Sequence, residues 1–201
     1  TKRALAADNR AQASLTKEWD KLNGLSTWLE DTVEEQSVVA DRARRDGVTV
    51  HFGRIFGFAG IKGRELRESM RKRKGRVVFQ GNQVRDESGL AAVFSERASG
   101  SSHLQASRLV ATVARAPGCA GQQADAVSAY TQALLYGDGR TTPVDTWITL
   151  PPDQQPPSWR RLRHPVCRLR LALYGHPLSG VFWGRHCDSK LKEEGWELID
   201  G

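Results

Sequence analysis

Two runs constrain the fold more than anything else in the chain: VTVHFGRIFGF at 48–58 and RVVFQG at 76–81. Val48, Val50 and Phe52 recur at every second position, the period of a half-buried strand. The second run is rich in β-branched and aromatic residues and returns after a basic connection, KGRELRESMRKRKG, so the pair predicts a β-hairpin. A lone hairpin is marginal in water. The rest of the chain must therefore supply further strands or a covering helix.

Several segments can do so. Leu15, Trp19 and Leu22 fall on one helical stripe, and Asn23-Gly24 stops it. A second helix is predicted over 33–45, with arginines in its last turn and Gly47 just beyond. Ala106, Leu109, Val110, Val113 and Ala114 give an amphipathic helix over 102–116, which Pro117-Gly118 ends. The stretch 123–127 reads as a strand, TWITL (146–150) as another, and VCRLRLALYG (166–175) alternates as a half-buried third. Trp183, Cys187 and Leu191 mark a last helix that stops at Gly195. Helices and strands follow no βαβ order, so the class is α+β. The segments divide into a disordered lead-in at 1–13, helices with a fingers-like hairpin at 14–100, and a second region at 101–201.

Length and composition set outer limits. The 201 residues suit one domain or two small ones, and a hydrophobic fraction of 39% lies above the disordered regime. No apolar run reaches membrane-spanning length. The first residue is Thr and the only Met is Met70, so the chain is expected to be a piece of a longer reading frame. Thirty Lys and Arg against 23 Asp and Glu leave a net charge of +7. That suits a polyanionic partner such as nucleic acid, although many basic proteins bind none. Cys119, Cys167 and Cys187 contain no CxxC pair, which argues against zinc and against a disulfide framework. A reducing, intracellular setting is the default.

Four stretches could carry chemistry. Asp125 stands alone among small and apolar residues; it fits a metal-ligating carboxylate, but spacing by itself favours a cap on a neighbouring amide. The run RKRKGR at 71–76 fits a solvated turn or a phosphate-gripping strand. WRRLRHPVCRLR at 159–170 fits an exposed loop plus an amphipathic strand. It equally fits a backbone-gripping set, Arg160, Arg161 and Arg163, with Trp159 stacking on a base. LYGHPLSG at 173–180 fits an ordinary strand-to-helix turn or an anion site at a helix N-terminus.

In order along the chain, KEWDKLNGLSTW, KGRVVFQGNQ, ADAVSAY, ITLPP and VCRLRLALYGHPLSGVFW resemble the reverse transcriptase domain of copia-type retrotransposon polyproteins. There the first segment carries a Glu-Trp pair followed by a helix and a Thr-Trp, and the other four read approximately KARLVAKG, MDVKTAF, Pro-Pro-Gly and VCKLKKSLYGLKQSPRAW. The resemblance implies the fingers and partial palm of a right-hand polymerase, an antiparallel sheet with packed helices. In the parent protein it implies RNA-directed DNA synthesis by two metal ions, Mg²⁺ or Mn²⁺. Asp125 would be the first metal ligand and catalytic carboxylate. Tyr130 would be the steric gate against ribonucleotides, with Lys74, Arg76, Tyr174 and Gly175 at the incoming triphosphate. Ser179, Arg160, Arg161 and Arg163 would touch template and primer. The implied partners are an RNA or DNA template with its primer, deoxynucleoside triphosphates, and integrase and RNase H regions of the same polyprotein, in cytoplasm or nucleus and without a membrane.

The chain departs from the pattern at Val127, which replaces a Lys, and at His176, Pro177, Leu178 and Gly180 in the second motif. The family's paired aspartates have no counterpart: no two aspartates are adjacent, and Asp200 stands alone near the end. This fragment alone is then expected to be inactive. The alternative from a different class is a non-catalytic nucleic-acid-binding remnant of a decayed element.

Overall fold

The computed structural model describes residues 8–94, 104–135 and 144–197. The lead-in up to residue 7, most of the loop after Tyr130's segment (136–143), the start of the 102–116 helix and Asp200 lie outside the described residues.

The first helix, α1 (Asn9–Gly24), buries Trp19 and Leu22 of the stripe and half-buries Leu15; it starts earlier than expected, so residues 9–13 are helical and not a disordered lead-in, and Ala11 is buried with them. Asp8 caps it by accepting the Ala11 N–H at 3.0 Å, and its other oxygen takes the Arg73 guanidinium at 2.5 Å. One carboxylate thus starts the helix and ties it to the hairpin. Next comes β1 (Trp28–Glu35), which was not expected. Its acidic sequence WLEDTVEE hides the strand period, and its pairing is interrupted between Leu29 and Glu34. The predicted helix at 33–45 accordingly begins later, as α2 (Gln36–Asp46), and ends on Gly47 with φ of 65°.

The hairpin forms as predicted from β2 (Val50–Lys62) and β3 (Lys72–Phe79). A helix α3 (Leu104–Val113) follows, then β4 (Asp145–Thr149), β5 (Pro165–Leu169) and α4 (Ser179–Glu193). The strands form one sheet in the order β1-β5-β4-β2-β3. The class is α+β, but the sheet is mixed and not antiparallel throughout: β4 pairs with β2 in parallel, His51 opposite Thr146 and Phe52 opposite Trp147. The long excursion between β3 and β4 returns the chain in the same direction as β2, which a tight turn could not do.

The main core joins α1 and α4 to the sheet through Trp19, Leu22, Ile55, Val77, Phe79, Leu150, Leu169, Leu173 and Phe182. A smaller cluster lies under α2: Val39, Ala43, Val50, Phe52, Trp147 and Val166. Two expectations fail here. Residues 123–127 form no strand; they are irregular and exposed. With Val127 as the only strongly β-favouring side chain there and no neighbouring ladder, nothing holds them extended. The helix α3, whose amphipathic period predicts packing on strands near 123–127 and 166–174, forms but leaves its apolar face uncovered among the described residues, with Leu109 65%, Val110 57% and Val113 54% exposed. Amphipathic period thus makes the helix without supplying a partner for its apolar face.

Candidate nucleic-acid interface

The hairpin is two-faced. Paired residues of an antiparallel ladder point to the same side. On one side Gly57, Val77 and Gly75 lie beneath α1, with Phe79 farther along the same face against Gly53 and His176, and a side chain at Gly75 would overlap the backbone of Ser14 and Leu15. On the other side Phe58 stands opposite Arg76, Gly60 opposite Lys74, and Lys62 opposite Lys72. Phe56 and Phe58 are both 42% exposed there, with ring centroids 6.3 Å apart. This gives an open sheet face of aromatic rings among cations. The charge run in the sequence points to Lys74 and Arg76 but not to the two phenylalanines. The signal was present, since Arg54, Phe56, Phe58 and Lys62 share one parity of the strand.

The turn after β5 meets the end of this face. Tyr174 accepts the Phe79 N–H on its carbonyl at 2.7 Å. Gly175, at φ of 88°, lies against the Phe79 carbonyl, and Gly81 lies against the carbonyl of Gly175. A Cβ at either glycine would strike backbone, so both are needed for the close approach. The result is a cluster drawn from three separate segments. The Arg76 guanidinium stands 5.7 Å from the Tyr174 ring centroid, and Tyr130 meets Tyr174 edge-on at 4.6 Å. Tyr174 remains 37% exposed, so the cluster is open to a ligand.

Beneath the turn the side chains are structural. Ser179 is buried; its hydroxyl donates to the Leu173 carbonyl at 2.6 Å and accepts the Leu173 N–H at 3.0 Å. It therefore closes the turn and has no surface to offer a template. His176 is buried beside Phe79, Phe94 and His51. Its Nδ1 accepts the Leu178 N–H at 3.2 Å, which leaves the proton on Nε2, 3.3 Å from the Thr146 hydroxyl. Burial, with His51 adding to it, lowers its pKa to about 3. Burial also pushes the Cys167 thiol up and keeps it protonated.

The arginine-rich stretch divides. Arg168 pairs with Asp145, and Arg170 donates to the Ser26 and Leu25 carbonyls. Arg160, Arg161 and Arg163 are exposed, fixed by a turn whose Trp159 is buried, so Trp159 has no face free for stacking on a base. That turn is anchored by Glu35, whose carboxylate accepts the Arg163 and His164 N–H groups at 2.8 Å.

Asp125 is exposed, and no described contact joins it to the cluster. Among the described residues no group of three or more His, Cys, Asp or Glu side chains could hold a metal ion. The described donors therefore do not compose a two-metal centre. Comparison with protein-family models, curated proteins and solved structures finds no match to this chain.

Proposed function

We propose that this chain is the fingers and leading palm of a reverse-transcriptase-type polymerase from a copia-like retroelement, and that its own part is to hold template and incoming deoxynucleotide. The observation that carries this reading is the cluster of Arg76, Tyr174 and Tyr130. Three residues far apart in sequence, each of which the resemblance puts at the nucleotide, come into contact beside an exposed basic and aromatic sheet face. Such a face suits a nucleic acid. Lys72, Lys74 and Lys62 would neutralise phosphates, and Phe56 and Phe58 offer rings on which bases stack.

Within this reading Tyr130 limits the sugar position and Arg76 meets the triphosphate. Nucleotidyl transfer with Mg²⁺ or Mn²⁺ belongs to the parent protein and needs carboxylates besides Asp125. The lone, exposed position of Asp125 favours one second reading, a nucleic-acid-binding remnant without catalysis.

The test is anisotropy of a labelled primed RNA template against a random DNA duplex. The primed template should bind more tightly, and Arg76→Ala with Tyr174→Ala should weaken it by about tenfold, the equivalent of ~1.4 kcal/mol, in a protein that still unfolds in one cooperative transition. Equal binding of the two nucleic acids, or no effect of the double substitution, overturns the proposal. Primer extension by a longer parent chain, abolished by Asp125→Asn, separates the polymerase from the remnant.

A further inference from the structure

The strand β2 changes partners midway. From Val50 to Arg54 it has β4 on one edge; from Ile55 to Lys62 it has β3 on the other. β4 stops at Thr149, and the chain then runs through Leu150 into Pro151 and Pro152. Proline has no N–H and cannot extend a ladder. The β4-side edge of β2 beyond Ile55 is thereby left bare: among the described residues no strand pairs with it and no turn or loop hydrogen bond reaches it.

The groups on that edge can be named. The Phe52 N–H and C=O bond Arg85, and the Arg54 carbonyl accepts from Gln80, all on the β3 side. Backbone direction alternates along a strand, so Gly57, Ala59 and Ile61 turn their N–H and C=O outward. Gly57 and Ala59 have almost no side chain to keep a neighbour away. At the start of this edge lies a cleft of about 680 Å³, lined by Leu15, Trp19, Ile55, Leu150 and Pro151, with Arg54 among its charged lining residues and one carboxylate, Asp153, opposing it. Arg54 and Lys62 are exposed and bond no described carboxylate.

From this geometry we infer that β2 accepts an added strand, an acidic and extended peptide segment of a partner protein. The backbone of such a segment completes the open edge, the β-augmentation mode of peptide recognition. A strand laid there alternates its side chains in step with β2. Those level with Gly57 and Ala59 face the Leu15–Trp19 side and favour apolar residues. Those level with Arg54, Phe58 and Lys62 face the basic side and favour carboxylates. A nucleic acid could use the charges but has no backbone ladder to match the free amides. This inference does not depend on the polymerase reading.

The probe is a short fluorescein-labelled peptide alternating valine with glutamate, with a valine–lysine peptide and an oligothymidylate as comparisons. Anisotropy should saturate with the glutamate peptide and be at least about tenfold weaker with the lysine peptide. Hydrogen exchange supplies a readout that needs no variant. The Gly57, Ala59 and Ile61 amides should exchange fast in the free protein and slow on peptide addition, while Phe56 and Phe58, already in the β3 ladder, change little. Ala59→Pro removes an outward N–H only and should abolish binding; Arg54→Glu should weaken it if Ala59→Pro does not fold. Equal binding of the two peptides, unchanged exchange at those amides, or binding by the oligothymidylate alone overturns the inference.

Discussion

Acid should destabilise this protein through His176, and the size follows from its surroundings. The imidazole is 5% exposed, ringed by Phe79, Phe94 and His51, and holds the Leu178 N–H on Nδ1. Protonation would place a charge in that apolar box and turn the Nδ1 acceptor into a donor facing another donor. The folded pKa is accordingly about 3, against 6.5 for the free group. A depressed histidine pKa means that the unfolded chain binds the proton first. The associated stability is complete above pH 6.5 and is lost as pH falls from there toward 3. Each pH unit in that window costs about 1.4 kcal/mol, so going from pH 7 to about pH 5 removes about 2 kcal/mol. His51 is depressed as well, chiefly by burial, and acts in the same direction, with Glu87 and Asp86 opposing.

Denaturant unfolding at pH 7 and about pH 5 measures this, in the wild type and in His176→Gln. Most carboxylates stay ionised in that interval, which keeps acid effects from elsewhere small. The Gln variant will be less stable at both pH values, because it packs and bonds differently. Its loss on acidification should nevertheless be smaller than that of the wild type by about 2 kcal/mol. An equal loss in both proteins would show that His176 is not buried as a neutral acceptor, and the packing of the Leu173–Leu178 turn would be wrong with it.

Two further substitutions test the fold. Leu109→Ala on the bare face of α3 should change stability by no more than about 0.5 kcal/mol, whereas a packed leucine would cost about 2–5 kcal/mol; a large loss in a thermal melt would mean that α3 is covered. Gly175→Ala should lower the melting temperature markedly, since its φ of 88° and its contact with the Phe79 carbonyl both exclude a side chain; an unchanged melt would refute that approach.

Where local pattern and tertiary partner agreed, the fold could be read from sequence. The α1 stripe, the Gly47 cap and the β2–β3 hairpin each carry both their period and their stop signal within a few residues. β1 could not be read, because its exposure follows from its place at the sheet edge, where carboxylates replace the apolar alternation of an interior strand. Residues 123–127 failed for the opposite reason: small residues suggested burial, but burial requires a neighbour and no described strand provides one. The site divides in the same way. Arg76 and Tyr174 are visible as charge and motif, whereas the sequence pattern suggests surface roles for Ser179 and Trp159 that their burial rules out. A serine in a turn and a tryptophan among arginines look alike whether they face inward or outward.

The glycines link the two parts of the candidate site more firmly than its charged residues do. Arg76 and Tyr174 touch across 5.7 Å in a partly exposed setting, where a cation–π contact contributes about 0.5–1 kcal/mol. That is too little to fix one segment against another. The Phe79–Tyr174 backbone bond, admitted by Gly175 and Gly81, does fix it: it seats the turn on the last residue of β3 and brings the side chains at 76 and 174 within reach of each other. Arg76→Ala should therefore leave the turn in place and remove only the charge. Loss of Gly175 should separate hairpin from turn and dissolve the cluster with its side chains intact. If nucleic-acid binding survives Gly175→Ala but not Arg76→Ala, the ligand reads the hairpin face alone, and Tyr174 and Tyr130 have no part in it.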